Sequence, residues 1–334
     1  METVQLSHKE FLKIDRDPEK AARAASLVYV SDSEPGITRA KKGKGFVYLL
    51  NNKPVRDKKQ IERIRKLVIP PAWTSVWICT SENGHIQATG LDVRGRKQYR
   101  YHPAWNNLRN ETKFHRMYEF GKALPALRLQ VEKDICTQQL SERKVLATLV
   151  SLMERTFIRV GNSGYEKLYG SYGLTTLKDG HVSIKGSTVV FSFKGKKGIY
   201  HNITLRNKRL ARIVQACKDI AGKELFQYYD EEGNRRTVDS GMVNSYIKEA
   251  TGQDFTAKDF RTWAGTLAML QVLKSIGEAG SVTECKKNIV AALDEVSKKL
   301  GNSRTICKKY YVHPGLLRLY EENGLTKHLS QLDK

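Results

Sequence analysis

Through the first hundred residues the apolar positions come in short runs, and beyond them they recur with a helical period. Up to about residue 35 the pattern is charged and mostly helical. From Gly45 to Tyr101 the character changes. Residues 46–50, 76–79 and 86–89 read as short strands, with Asn51-Asn52 supplying a turn, while residues 59–67 read as a helix closed by Pro70-Pro71. At His102-Pro103 the strand pattern gives way to helix-forming sequence, which predicts a domain boundary there: 1–103 and 104–334.

In the second part, residues 141–160 place Val145, Leu149, Leu152, Met153 and Thr156 within one arc at roughly 100° per residue, predicting a helix stopped by Gly161. Three alternating segments follow, 181–185, 188–194 and 199–205. Gly186-Ser187 and Gly195-Lys196-Lys197-Gly198 provide the turns of a small antiparallel meander. Helical pattern resumes around Arg209, Met242, Lys258 and Val282 and continues to the end, with no internal repeat. The predicted class is α+β: a small strand-rich N-terminal domain, then a mainly α-helical domain carrying a small antiparallel sheet.

Composition narrows the partner. The 334 residues hold 58 Lys and Arg against 35 Asp and Glu, a net charge of +23. Such an excess attracts phosphate and releases counterions on binding, so it points to a polyanion. The basic residues spread along the whole chain, which argues against a membrane-surface protein. No apolar run approaches the ~18–20 residues needed to cross a bilayer, and the charged N-terminus does not read as a secretory signal. Cys79, Cys136, Cys217, Cys285 and Cys307 are odd in number and widely spaced, with neither disulfide-framework nor zinc spacing. A soluble intracellular protein with reduced thiols is expected.

Candidate chemistry gathers on a phosphate. Arg159 falls at the margin of the predicted helix's apolar arc, with a salt bridge or a snorkelling side chain as its ordinary role. Arg261 borders the stripe formed by Phe260, Trp263, Ala264 and Leu267, with Lys258 one turn away. Two half-buried arginines suit a shared anion, since a guanidinium holds two phosphate oxygens through its planar fork. Lys196, at a hairpin tip between glycines, can donate a proton to a departing alkoxide, and Lys197 is the alternative. Asn302 offers an amide donor, with a helix N-cap as its ordinary role. Nine positions later comes Tyr311, among cations, beside a second tyrosine, Tyr310. Transfer of a phosphodiester to tyrosine builds charge on the non-bridging oxygens and expels an alkoxide. Two arginines, a neutral donor and a lysine meet that demand without a metal.

Taken in order, Phe157-Ile158-Arg159-Val160-Gly161, Leu174-Thr175-Thr176-Leu177, the hairpin lysine, Lys258-Asp259-Phe260-Arg261-Thr262 and Lys308-Lys309-Tyr310-Tyr311 resemble the type IB DNA topoisomerases, especially the small bacterial and poxvirus form. Ile69-Pro70-Pro71-Ala72-Trp73 and the stretch from Gly90 to Tyr101 resemble the bacterial branch. The resemblance implies that Tyr311 attacks one DNA strand to form a 3′-phosphotyrosyl bond. Arg159 and Arg261 would hold the scissile phosphate and Lys196 would protonate the 5′ oxygen. Asn302 stands where relatives often have histidine; it can donate a hydrogen bond but carries no charge. The resemblance further implies a monomer closing as a clamp on duplex DNA, in the cytoplasm with the nucleoid, needing neither ATP nor cofactor nor metal.

Arg96, Lys97, Gln98, Tyr99 and Tyr101 interleave cations with aromatics. In strand geometry Gln98 and Arg100 share one face and the tyrosines the other. The strip is a candidate for contacts to phosphates, sugars and base edges, as is Lys258; a half-buried strand with core tyrosines is the competing reading. The rival enzyme is a tyrosine recombinase, which uses a similar Arg, Lys, Arg, Tyr set but generally His-x-x-Arg where this chain has Lys258 before Arg261. A non-catalytic DNA-binding protein is the rival of another class.

Overall fold

The structure is a computed structural model describing residues 6–43 and 45–332; residues 1–5 of the expected helical N-terminus lie outside the described residues. The chain divides into two compact units, Met1–Arg116 and Met117–Lys334.

In the first unit the N-terminal helices His8–Asp15 and Pro18–Ala24 each begin on a side-chain cap, Ser7 and Asp17. Helix does not continue to residue 35 as expected; Val28 instead bridges to Gly84. A six-stranded sheet follows, with strands β1 (Ile37–Lys42), β2 (Gly45–Leu50), β3 (Lys53–Pro54), β4 (Thr74–Ile78), β5 (Ile86–Leu91) and β6 (Lys97–Tyr101) in the order β3-β2-β1-β4-β5-β6. Asn51 and Asn52 both have positive φ, 49° and 62°, as a tight hairpin between β2 and β3 requires. Strand β1 had no counterpart in the sequence reading: Ile37-Thr38-Arg39-Ala40-Lys41-Lys42 buries only Ile37 and otherwise reads as a charged run. Arg39 on it organises the loop that precedes β4. Its guanidinium donates to the carbonyls of Ile69 at 3.3 Å, Pro70 at 3.0 Å and Trp73 at 2.7 Å.

The second unit buries the helix Glu142–Thr156 on nearly every side, so that it is apolar almost all round. Around it pack the helices Lys208–Lys218, Ser240–Thr251 and Ala257–Ile276, and Phe120 stands edge-on to Phe255 and Phe260 at 5.2 and 4.9 Å between centroids. The expected meander is present as β7 (Val182–Lys185), β8 (Thr188–Lys194) and β9 (Tyr200–Arg206), in the order β7-β8-β9, with Val189, Phe191 and Phe193 of β8 facing the core. A second apolar cluster joins the later part of Ala257–Ile276 to the helices Val282–Leu300, Arg304–Tyr310 and Pro314–Glu321. Among the described residues no helix is long and apolar enough to cross a membrane.

One boundary matters for the site. The helix predicted over 141–160 ends at Thr156, because Phe157 turns left-handed at φ 58° and its N–H closes on the Met153 carbonyl. Arg159 is therefore not a helical residue. It stands in an irregular segment held by backbone bonds to the next turn: Leu174 N–H donates to the Arg159 carbonyl at 2.8 Å and Thr175 N–H to the Val160 carbonyl at 2.7 Å. The approach is close enough that a Cβ on Gly173 would lie 2.6 Å from the Arg159 carbonyl oxygen.

Candidate active site

Arg261 organises the site. It lies on the helix Ala257–Ile276, is only 6% exposed, and donates from Nη1 to the Phe157 carbonyl at 2.6 Å and from Nη2 to the Leu300 carbonyl at 2.7 Å. Both acceptors are at helix C-terminal ends, where carbonyls lack intrahelical partners and a cation is favoured by the helix dipole. Leu300 ends its helix because Gly301 is left-handed at φ 57°, and Asn302 follows with its N–H donating to the Ser297 carbonyl at 3.0 Å. One guanidinium thus fixes the Arg159 segment and the Asn302 segment.

The two segments also meet through side chains, Arg159 Nη2 donating to Asn302 Oδ1 at 2.9 Å. Asn302 is not the N-cap of the following helix; Ser303 is. Arg159 has no carboxylate partner, and neither does Arg261, among the described residues. Burial, and then the neighbouring Arg261, push the Arg159 pKa down to about 10, with Tyr311 acting in the opposite sense. Arg261 Nε and Asn302 Nδ2 are buried donors with no acceptor among the described residues. Buried cations and donors without partners are unfavourable unless an anion arrives to satisfy them.

Tyr311 ends the helix Arg304–Tyr310, and its ring lies under Arg261, 5.1 Å from Cζ to the ring centroid. Thr266 Oγ1 donates to the Tyr311 carbonyl at 3.1 Å and accepts from His313 N–H at 3.1 Å. Gly265 permits the approach, since a Cβ there would sit 2.7 Å from the Tyr311 carbonyl oxygen. Burial alone would raise the phenol pKa. Arg261, and after it Arg159 and Lys196, more than offset this and leave it below the ordinary tyrosine value. The Tyr310 ring stands 5.4 Å from Lys309 Nζ.

Lys196 is exposed at the turn between β8 and β9, its Nζ 5.7 Å from the Tyr165 ring centroid. The turn is closed by Gly195 N–H donating to the Ile199 carbonyl at 2.7 Å, with Lys197 and Gly198 at φ 63° and 77°. Lys196, Lys197, Arg159 and Tyr165 line one open cavity of about 510 Å³. Lys258 is exposed one turn before Arg261. Among the described residues no cluster of three or more His, Cys, Asp and Glu is arranged to hold a metal.

In the first unit, β6 alternates as its sequence suggests: Tyr99 and Tyr101 are 43% and 38% exposed and stack at 5.7 Å. They are surface residues rather than core ones. Their charged neighbours are already engaged. Arg96 Nε and Gln98 Nε2 both donate to Asp92 Oδ2, at 2.9 and 3.0 Å, and Lys97 pairs with Asp32 at 2.6 Å. Asp92 is held at about 2 by Arg96 chiefly and by backbone N–H groups.

Residues 102–332 match the family model for the eukaryotic DNA topoisomerase I catalytic core, and residues 45–92 that for the bacterial DNA topoisomerase IB N-terminal domain. A DNA topoisomerase 1B of Acanthamoeba polyphaga mimivirus is 36% identical over 297 residues, covering 86% of this chain and 88% of its own. The chain belongs to the type IB DNA topoisomerase family. A DNA topoisomerase 1B of vaccinia virus (strain Western Reserve) is 23% identical over 72% of this chain and 74% of its own. Among solved structures, the XerH site-specific recombinase bound to a palindromic difH substrate aligns over 61% of this chain and 51% of that one, at 16% identity and a TM-score of 0.39. The protein is thus an isomerase of the topoisomerase class. The catalytic-core match contains Arg159, Lys196, Arg261, Asn302 and Tyr311, whereas the strip from Arg96 to Tyr101 lies beyond the N-terminal-domain match.

Sequence reasoning passed over Gly265, Thr266 and His201. The first two set the Tyr311 backbone. His201, on β9, stacks on Phe193 at 5.1 Å and packs against the glycines at 195 and 301, a convergence that no local sequence pattern marks.

Proposed function

We propose that this protein relaxes positive and negative supercoils by nicking one strand of duplex DNA, letting the free end swivel and resealing it. The observation that carries the reading is a pair of arginines, Arg261 buried and Arg159 half-buried, without carboxylate partners among the described residues and set around a phenol whose pKa they lower. Tyr311 Oη attacks the scissile phosphorus. The bond from phosphorus to the 5′ oxygen breaks as the 3′-phosphotyrosyl bond forms, and the phenol proton passes to solvent. Lys196 Nζ gives a proton to the departing 5′ oxygen, so that a neutral hydroxyl leaves. Arg159, Arg261 and the Asn302 amide stabilise charge on the non-bridging oxygens. The exchanged ester conserves the bond, which is why religation needs neither ATP nor metal.

The same proposal has the protein act as a monomer closing around the duplex, on nucleoid DNA in the cytoplasm. Tyr99 and Tyr101 would touch sugars or bases, and Lys258 a phosphate. Arg96, Lys97 and Gln98 reach DNA only by sharing or leaving Asp92 and Asp32. The deciding experiment is relaxation of positively and negatively supercoiled plasmid in EDTA without ATP. Both signs should relax; if both plasmids are bound but stay supercoiled, a recombinase or a plain DNA-binding protein is the better account.

A net charge of +23 also makes affinity steeply salt-dependent. With about 6–10 phosphate contacts, Kd should weaken on the order of 10³–10⁵-fold between 50 and 200 mM salt. Binding that stays flat over this range, followed by fluorescence anisotropy of a labelled duplex, would count against the electrostatic reading.

A further inference from the structure

The Lys196 turn and the Asn302 segment are far apart in sequence, and one side chain lies against both. A Cβ built on Gly195 would sit 2.6 Å from His201 Cδ2 and Nε2, and one on Gly301 would sit 2.3 Å from His201 Cε1. The imidazole is therefore in contact with the backbone immediately before Lys196 and immediately before Asn302. Its third neighbour is Phe193, its cross-strand partner, with the rings 22° apart. No hydrogen bond ties the ring down among the described residues, so shape alone holds it. Gly195 has φ −91°, an ordinary value for any residue, so what calls for glycine at that position is the space the ring takes.

We propose that His201 is a positioning residue for the cleavage step: its ring sets the Lys196 turn against the Asn302 segment so that the general acid faces the phosphate. The inference rests on the reading of Lys196 as that acid. A neutral ring suits the task, since it adds no third cation beside Arg159 and Arg261. Burial, and then those two arginines, lower the His201 pKa below the usual histidine value. His201 makes no contact with the reacting atoms in this scheme; it acts through Lys196. Moving an acid by an ångström can cost on the order of 10²-fold in rate.

The test uses full-length protein in single-turnover cleavage of two DNA substrates, one with the ordinary 5′ oxygen at the scissile phosphate and one with sulfur. A thiolate is a good leaving group without a proton, the thiol pKa being about 8.5. Lys196→Ala should be slow on oxygen and recover on sulfur. His201→Ala should show the same signature, slower by about 10–100-fold on oxygen, close to wild type on sulfur, and unchanged in DNA affinity within about twofold. Wild-type cleavage by His201→Ala on oxygen, or equal slowing on both substrates, overturns the proposal. Failure of sulfur to restore Lys196→Ala overturns the acid assignment itself, and the positioning role with it.

A second variant covers the case in which His201→Ala does not fold. Gly195→Ala drives a methyl into the ring without straining the backbone, and should be slow on oxygen and restored on sulfur. Wild-type cleavage on oxygen by Gly195→Ala overturns the proposal whether or not His201→Ala folds; where it does fold, the same methyl in the His201→Ala background meets empty space and should add no further loss. Additive losses in the double variant would show that the two positions act independently, against the proposal.

Discussion

Replacing Tyr311 by Phe is expected to leave DNA binding within about twofold and to reduce covalent adduct formation by on the order of 10⁴-fold or more, the scale seen when a nucleophile is removed. The ring that packs under Arg261 is kept, so the site's packing survives and only the oxygen is lost. Tyr310→Phe should cleave within a few-fold of wild type, because that ring stands beside Lys309 and the ring under Arg261 is that of Tyr311. Adduct on a denaturing gel and Kd by anisotropy, in the same salt, separate the two effects. An adduct that persists in Tyr311→Phe would move the nucleophile elsewhere. The same pair of proteins reports on the electrostatics. Arg261, Arg159 and Lys196 overcome the effect of burial, so the phenolate is favoured and the pKa falls. In an ultraviolet titration of DNA-free protein, the difference between wild type and Tyr311→Phe should show one phenol ionising below the ordinary tyrosine value of about 10. Tyr228, pushed up to about 12 by burial and by Glu142, stays protonated through that range and does not interfere.

That Arg159, Arg261, Asn302 and Tyr311 belong to one candidate site was legible in the sequence, because these residue types have few other reasons to recur in that order. The α+β class, the meander and the turn at Lys196 could all be read from period and glycine placement. Three things could not. Periodicity carried the predicted helix through Arg159, yet the chain leaves the helix at Phe157, which turns left-handed and gives its carbonyl to Arg261, a contact across 104 residues. No local pattern records such a partner. Strand β1 was invisible for the opposite reason: its cations face solvent or loop carbonyls, so it lacks the apolar alternation of a half-buried strand. His201 shows a third limit. Its role follows from two glycines that close on the same ring, and their convergence exists only in three dimensions.

Arg261→Lys should separate scaffold from chemistry at the centre of the site. The guanidinium spans the Phe157 and Leu300 carbonyls with Nη1 and Nη2, while Nε remains without an acceptor. A lysine ammonium is a compact point charge that cannot reproduce the fork. Leaving one buried carbonyl unsatisfied costs about 1–3 kcal/mol, which urea unfolding would register as a lower midpoint at unchanged slope. Cleavage should fall by about 10²–10³-fold, as for loss of one preorganised donor at a developing charge. Arg159→Lys provides the contrast. Arg159 donates to the Asn302 side chain and caps no helix among the described residues, so that variant should lose cleavage with a much smaller change in unfolding. The comparison also decides what Arg261 is for. If Arg261→Lys is destabilised yet cleaves at the wild-type rate wherever it is folded, the residue is a double helix cap and nothing more. The anion would then be held by Arg159 and Asn302. If rate falls in the fully folded protein while DNA affinity holds, the guanidinium stabilises the transition state, and the two carbonyls serve to aim it.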